Sequence, residues 1–418
     1  MSGELTTVQV ADYLGVKTQT VYAYVSRGVL SPLRREPGAG SVFAFDDVQA
    51  LGGGRSGRRA SSRATSDDVR TAITQVGPGA LAYRGHDVRD LAGAWTFEEV
   101  RDLLTGVRAE AVPTPTPAPT PAPTSPRASV DAVMAALPRG TRVLDRCKHA
   151  VLVAGALDLG RHDRSPGAFA AAGARSAQAM VAAVGTSLGG RGPGEAGEQT
   201  REAGDGSGEA VGGTGDERLG PALAAYLGVP VDLVDLALVL LADHDLAVST
   251  TAVRVAVSAG ADGYSALLAG LAAADSPVHV GASVRALDWL RGAVADPRGA
   301  LAAALTDGPP PGFGHVVYTE VDPRARLLLD RVLPDSGRDL RDAVALLEAE
   351  LAERRGWVLS VDLALAAMVL SHDLPRDAGP AIFACARTAG WMAHAIEELD
   401  EPGMRFRLRG VYTGPRPG

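Results

Sequence analysis

From Leu219 to His394 the chain repeats apolar residues at helical spacing with hardly a break, in stretches such as "ALAAYLGV", "LVDLALVLLADHDL", "STTAVRVAVSAGA" and "DLRDAVALLEAELAERRG". Apolar positions three and four apart line one face of a helix, so this text cannot sit still as a sheet. Hydrophobic residues make up 46% of the chain but aromatics only 5%, so the core must be mostly Ala, Val and Leu. Side chains of that size suit close-packed helices better than a sandwich. At 418 residues the chain exceeds one average domain, and two or three are expected. The periodic text predicts an all-α domain of roughly 300 residues.

The front of the chain reads differently. "TTVQVADYLGV" and "KTQTVYAYVSRGVL" predict two short helices about a turn at Gly15, the helix-turn-helix layout, and "GSVFAFDDVQAL" a short strand with a closing helix. Residues 1–51 are therefore expected to be a small winged helix-turn-helix domain, followed by a flexible basic linker over 52–68. A second fold begins near Val69 with strand-like text and an amphipathic helix, "TFEEVRDLLTG", closed by Gly106. Two insertions interrupt it. Residues 113–126 hold seven prolines and predict extended polyproline. Residues 188–216 are Gly- and Glu-rich and predict disorder.

Net charge is −8, which does not suit a nucleic-acid binder as a whole, yet the first 63 residues carry eight basic groups against five acids. All but Lys17 and Lys148 of the 41 basic residues are arginine, so an arginine counts as a signal only at a meaningful spacing. Cys147 and Cys385 form no CxxC and no disulfide framework, as expected of a reducing cytoplasm. No apolar h-region and no charge-free apolar run of membrane length is present, so neither a signal peptide nor a membrane span is expected. Phosphate-loop, zinc-protease, nucleophile-elbow and dinucleotide patterns are missing, and the eight histidines lack metal-type spacing. No metal is expected.

Four stretches could carry chemistry. "LLADHDLAVST" sets His244 between two acids at the end of an apolar helix, a ligand group or simply a helix-end histidine satisfied by its neighbours. In "DSPVHVGAS" His279 precedes a helix. A ring in a helix's first turn feels the positive dipole end, stays neutral, and can donate to a developing oxyanion; otherwise it only caps. "PGFGHVVYTEVDPRARLLLD" puts His315 after two glycines and Arg324 at a helix start, a pairing suited to a carboxylate-bearing ligand or else a plain surface turn. "SVDLALAAM" places Asp362 in apolar text, where desolvation would raise its pKa toward that of a usable base, unless it is only a helix cap.

Taken in order, "ADHDLAVST", "SPVHVGAS", "GFGHVVYTEVDPRA", "SVDLALAA", "RTAGWMAH" and "RFRLRGVYTG" resemble citrate synthase, and upstream "LAYRGHDVRDLAGAWTFEEVRDLLTG" is similar to that family's N-terminal segment. The likeness covers about residues 69–112 and 219–414. It implies a mainly α, two-domain helical fold over 69–414, working as a homodimer on oxaloacetate and acetyl-CoA, with no cofactor. It further implies Asp362 as the base, His279 as donor to the enol oxygen, and His315 as the group polarising the keto carbonyl. His244, Arg324 and Arg387 would bind carboxylates, and Arg407 would reach across the dimer. The front unit resembles MerR-like or excisionase-like winged helices, which implies DNA contacts from Lys17, Thr18, Gln19, Tyr22 and Arg27. The chain departs from the family at Ala247, Val280, Ser283 and Val316; Val280 is expected to crowd the thioester or alter the turn. The alternatives are a propionyl-CoA-using 2-methylcitrate synthase, or a slow paralogue that senses a ligand and regulates through DNA.

Overall fold

The computed structural model describes residues 4–36, 40–55, 69–108, 126–188 and 218–407. Residues 56–68 of the linker expected over 52–68, residues 113–125 of the proline-rich stretch and residues 189–216 of the glycine-rich stretch lie outside them, while residues 52–55 are helical rather than linker. The chain divides into two compact units, Met1–Arg70 with Phe406–Gly418, and Thr71–Arg405.

In the first unit, β1 (Glu4–Thr6), β3 (Gly40–Ala44) and β2 (Arg34–Glu36) form an antiparallel sheet in that order. Helices α1 (Thr7–Leu14) and α2 (Thr18–Ser26) lie between β1 and β2, and α3 (Phe45–Arg55) follows β3. Gly15 turns between the helices at φ +64°, a left-handed conformation that costs glycine least. Leu5, Val10, Val21, Tyr24, Leu30, Phe43 and Val48 make its core. Lys17, Gln19, Tyr22 and Arg27 are exposed and Thr18 is half-buried.

The second unit starts with β4 (Thr74–Gly77), β5 (Ala80–Tyr83) and β6 (His86–Asp87), an antiparallel three-stranded sheet. Helices α4 (Val88–Leu91), α5 (Phe97–Thr105), α6 (Pro126–Ala136), α7 (Val143–Leu157) and α8 (Pro166–Leu188) follow. Then come α9 (Leu219–Leu227), α10 (Val231–Leu241), α11 (Val248–Ser258), α12 (Gly263–Ala274), α13 (Ala282–Ala295) and α14 (Pro297–Asp307). The last are α15 (Pro323–Val332), α16 (Arg338–Arg355), α17 (Val361–Ser371) and α18 (Ala378–Leu399). The unit is mainly helical, as the periodicity predicts. Local rules set its ends: Thr96 and Glu99 form a capping box on α5, which Gly106 closes in a left-handed conformation.

Helix α18 is the axis of the unit, packed by α5, α7, α8, α10, α11 and α12. Its small residues let these neighbours approach closely. At Gly390 the backbone N–H donates to Ala242 O at 3.0 Å, and any Cβ there would collide with the Asp243 carboxylate. That contact fixes the C-terminal end of α10 against α18, and so aims the loop carrying His244. Among the described residues, no single helix is long and apolar enough to cross a membrane.

Candidate active site

A cavity of about 590 Å³ opens where several of these elements end. His244 follows α10, His279 precedes α13, His315 sits on the loop after α14, Arg324 opens α15, Asp362 opens α17, and Arg387 comes from α18. Six of the seven residues singled out for this site thus line one space. Arg407 does not: it is exposed, beyond the helical unit, and outside the cavity lining.

The His315 loop depends on two glycines, Gly312 at φ +87° and Gly314 at φ +74°. Gly314 N donates to Val358 O and Ser360 N to Gly312 O, both at 2.9 Å, tying the loop to the start of α17. A Cβ on Gly312 would fall 2.8 Å from the Leu363 Cβ, so only glycine fits. His315 Nδ1 accepts from the backbone N–H groups of Val317 (3.0 Å) and Tyr318 (3.2 Å). Its proton is thereby assigned to Nε2, which is left to donate. Burial, then Arg324, lowers its pKa, so the ring is neutral at pH 7.

His244 Nε2 lies 3.1 Å from the Tyr318 hydroxyl. Burial first, then Arg324 and Arg387, hold its pKa well below the ordinary histidine value. The adjacent acids do not satisfy it. Asp243 is turned inward, its Oδ2 accepting from Thr74 Oγ1, Asp245 N and His394 Nε2. His394 Nδ1 in turn accepts from Arg254 Nη1 at 3.1 Å, which makes His394 an Nε2–H donor to Asp243. A buried polar network therefore anchors the residue next to His244.

His279 differs from expectation. It sits in a turn before α13, whose N-cap is Gly281, so it is not in a helix's first turn. Its pKa is lowered to about 4 by burial and then by Arg387. Ser249 Oγ lies 2.9 Å from His279 Nε2 and also accepts the Trp391 indole N–H at 3.2 Å. The indole can only donate, so among the described residues His279 Nε2 is the acceptor within reach of the serine O–H; with the serine donating there, the imidazole proton is assigned to Nδ1. Ser249 was not legible beforehand, because a serine in the first turn of a helix reads as ordinary N-terminal polarity.

Asp362 occupies the second position of α17 and is partly buried against the cavity. Desolvation raises its pKa to about 6, outweighing the lowering by Arg324. Arg324 is buried in a bidentate pair with Asp322, at 3.0 Å from Nε and 2.8 Å from Nη2. Asp322 also accepts from the backbone N–H of Arg324 and Val361, and so joins the starts of α15 and α17. Arg387 has no such partner. Its Nε donates to Leu241 O at 2.8 Å and its guanidinium lies 4.5 Å from the Phe383 ring centroid, but no carboxylate among the described residues pairs with it. Burial lowers its pKa. With its histidines neutral, the lining holds three guanidinium groups (Arg285, Arg324 and Arg387) and one carboxylate, Asp362. Such a space favours anions. No group of three or more His, Cys, Asp or Glu suited to a metal occurs among the described residues.

Val280, expected to crowd the site, is only 2% exposed, lies in the hydrophobic core and does not line the cavity. The turn is held instead by Gly281, where a Cβ would meet Ser276 O at 2.9 Å. Ser283 is buried and donates to Val280 O. Ala247 and Val316 do line the cavity.

A carboxyl of raised pKa, neutral imidazoles with assigned protons and buried guanidiniums define an acid–base site for a small anion on a helical scaffold. Residues 66–409 match the family model described as "Citrate synthase, C-terminal domain", and the chain belongs to the citrate synthase family. It is 32% identical over 206 residues to the citrate synthase of Saccharolobus solfataricus, covering 44% of this chain and 52% of the relative. Over 196 residues it is 32% identical to the citrate synthase of Haloferax volcanii, covering 45% and 52%. The chain spans about half the length of the curated relatives it matches. Its fold is that of the citrate synthase from Thermoplasma acidophilum, solved as a ternary complex with carboxymethyl coenzyme A and oxaloacetate, with a TM-score of 0.65, 22% identity, and coverage of 85% of this chain and 96% of that one.

Proposed function

We propose that the chain is a citrate synthase-type acyltransferase, condensing acetyl-CoA with oxaloacetate to citrate and CoA. The observation that carries this reading is the convergence of Asp362, His279 and His315 on one cavity with two buried arginines. Ionised Asp362 takes a proton from the thioester methyl group while His279 Nδ1–H donates to the thioester oxygen. Neither step proceeds alone, because a thioester α-proton is far less acidic than any carboxyl. The enol carbon attacks the keto carbon, and His315 Nε2–H polarises the keto oxygen and protonates the alkoxide. Arg324 and Arg387 hold the diacid's carboxylates, and water then cleaves the thioester. Purified protein given both substrates should release free CoA thiol; none above background would overturn the reading. Competing kcat/KM values decide between acetyl-CoA and propionyl-CoA.

Asp362 must be ionised to act, so kcat/KM should fall about tenfold per pH unit below about 6. With its value near 4, His279 should add no second limb between about pH 5 and 8, a range a pH–rate profile covers. Ser249→Ala frees the His279 tautomer and should lower kcat about tenfold or more, with the oxaloacetate KM little changed. An unaltered kcat would remove Ser249 from the site. Arg407 would complete the site in a homodimer, which concentration-dependent activity of Arg407→Ala mixed with an Asp362→Asn chain would test: partial recovery is expected only if sites are shared.

A second reading concerns the front unit, where α2 leaves Lys17, Gln19, Tyr22 and Arg27 exposed, with Thr18 half-buried beside them. As a MerR-like winged helix it would set α2 in a major groove of DNA. The full chain should be retained on duplex DNA with steep salt dependence, weakened by Lys17→Ala and Arg27→Ala. Retention that ignores salt would count against it.

A further inference from the structure

We propose that Arg285 is the phosphate handle by which the cavity holds the carrier end of a coenzyme A thioester, an inference that rests on the acyl-transfer reading above. Arg285 lies on α13, three residues past Ala282, and both line the cavity. It differs from Arg324 and Arg387 in being exposed. Among the described residues it has neither an ion pair nor a side-chain hydrogen bond, and this is not for lack of an acid nearby. Asp288, at the favourable i+3 position of the same helix, is engaged by Arg376 through Nη2 at 2.6 Å and Nε at 3.2 Å. Other surface arginines of the unit are paired: Arg142 with Asp145 and Asp275, and Arg331 with Asp232 and Asp335.

The other exposed residues of the lining carry no charge. Val248, Val278 and Val316 line the cavity yet are 73%, 80% and 99% exposed. A thioester whose acyl end reaches Asp362 must leave past these valines. Its pantetheine arm is extended and uncharged, and suits them; its phosphates follow, and Arg285 is the exposed cation in the lining. A guanidinium binds a phosphate through two parallel N–H donors, a geometry that a lysine ammonium does not reproduce.

The test uses the full chain with acetyl-CoA and with acetyl-pantetheine, which carries no phosphate. Arg285→Ala should raise the KM for acetyl-CoA about tenfold while moving kcat/KM for acetyl-pantetheine less than twofold, and Arg285→Lys should fall between. The oxaloacetate KM should not change, and the acetyl-CoA effect should shrink at high salt. An equal effect on both thioesters, or none on either, overturns the proposal. If the wild type releases no thiol, the acyl-transfer reading fails on its own. Calorimetric Kd values for CoA and pantetheine then decide about Arg285: about tenfold weakening of CoA alone supports it, and equal Kd values for the variant and wild type overturn it.

Discussion

Asp362→Asn should lower kcat by about a thousandfold while leaving the protein more stable at neutral pH. The catalytic loss follows from removing the one carboxylate lining the cavity. The stability gain follows from the raised pKa, about 6 in the folded chain against an ordinary 3.8. A carboxyl with a raised folded value binds its proton more tightly when folded, so ionising it opposes folding. That penalty is absent below about pH 4, grows between about pH 4 and 6, and is complete above. Asparagine never ionises. At pH 7.5 the variant should therefore gain about 1–3 kcal/mol, a range that allows for the side chain's partial exposure to the cavity. Melting curves at pH 7.5 and pH 4 check this, with the two proteins converging at the lower pH. A variant that turns over at the wild-type rate, or is less stable at pH 7.5, would contradict the role assigned to this carboxyl.

Arg387→Met should weaken oxaloacetate binding by about two orders of magnitude without harming the unliganded fold. Truncating one partner of a buried charge pair costs about 2–5 kcal/mol, and the diacid would be the only strong partner this guanidinium has. In the unliganded chain the same charge is buried with a carbonyl and an aromatic ring for company. Burial lowers its pKa, so the charged form opposes folding at every accessible pH. Methionine preserves the contact with Phe383 and removes the charge, at the expense of the bond to Leu241 O. The unliganded melting temperature should hold or rise, while the shift induced by oxaloacetate disappears. Binding within threefold of wild type would show that Arg387 does not hold the substrate. Arg324 would not give so clean a result, because its loss strands Asp322, which joins the starts of α15 and α17.

Much of this was legible in the chain itself. Helical period and a small-residue core composition determined a mainly α body, since both are local properties of each segment. The "TFEEVRDLLTG" text announced α5 and its close at Gly106, and the glycines around His315 announced a tight loop. The order of short motifs pointed to six residues that line one cavity, four of them at or just outside the ends of helices, His315 on a loop and Arg387 within α18. Other features depended on neighbours remote in sequence. The proton on His279 is assigned through Ser249 and Trp391, 142 residues apart, and no local pattern records that meeting. Val280 looked like an obstruction until its side chain proved to point into the core. Arg285 looked like one arginine among many until Arg376 was seen to occupy its i+3 acid. Local chemistry settled which segments coil and where they stop; which side chains are left charged, neutral or unpaired was settled only by packing, because desolvation and hydrogen-bond partners come from whatever the fold brings alongside.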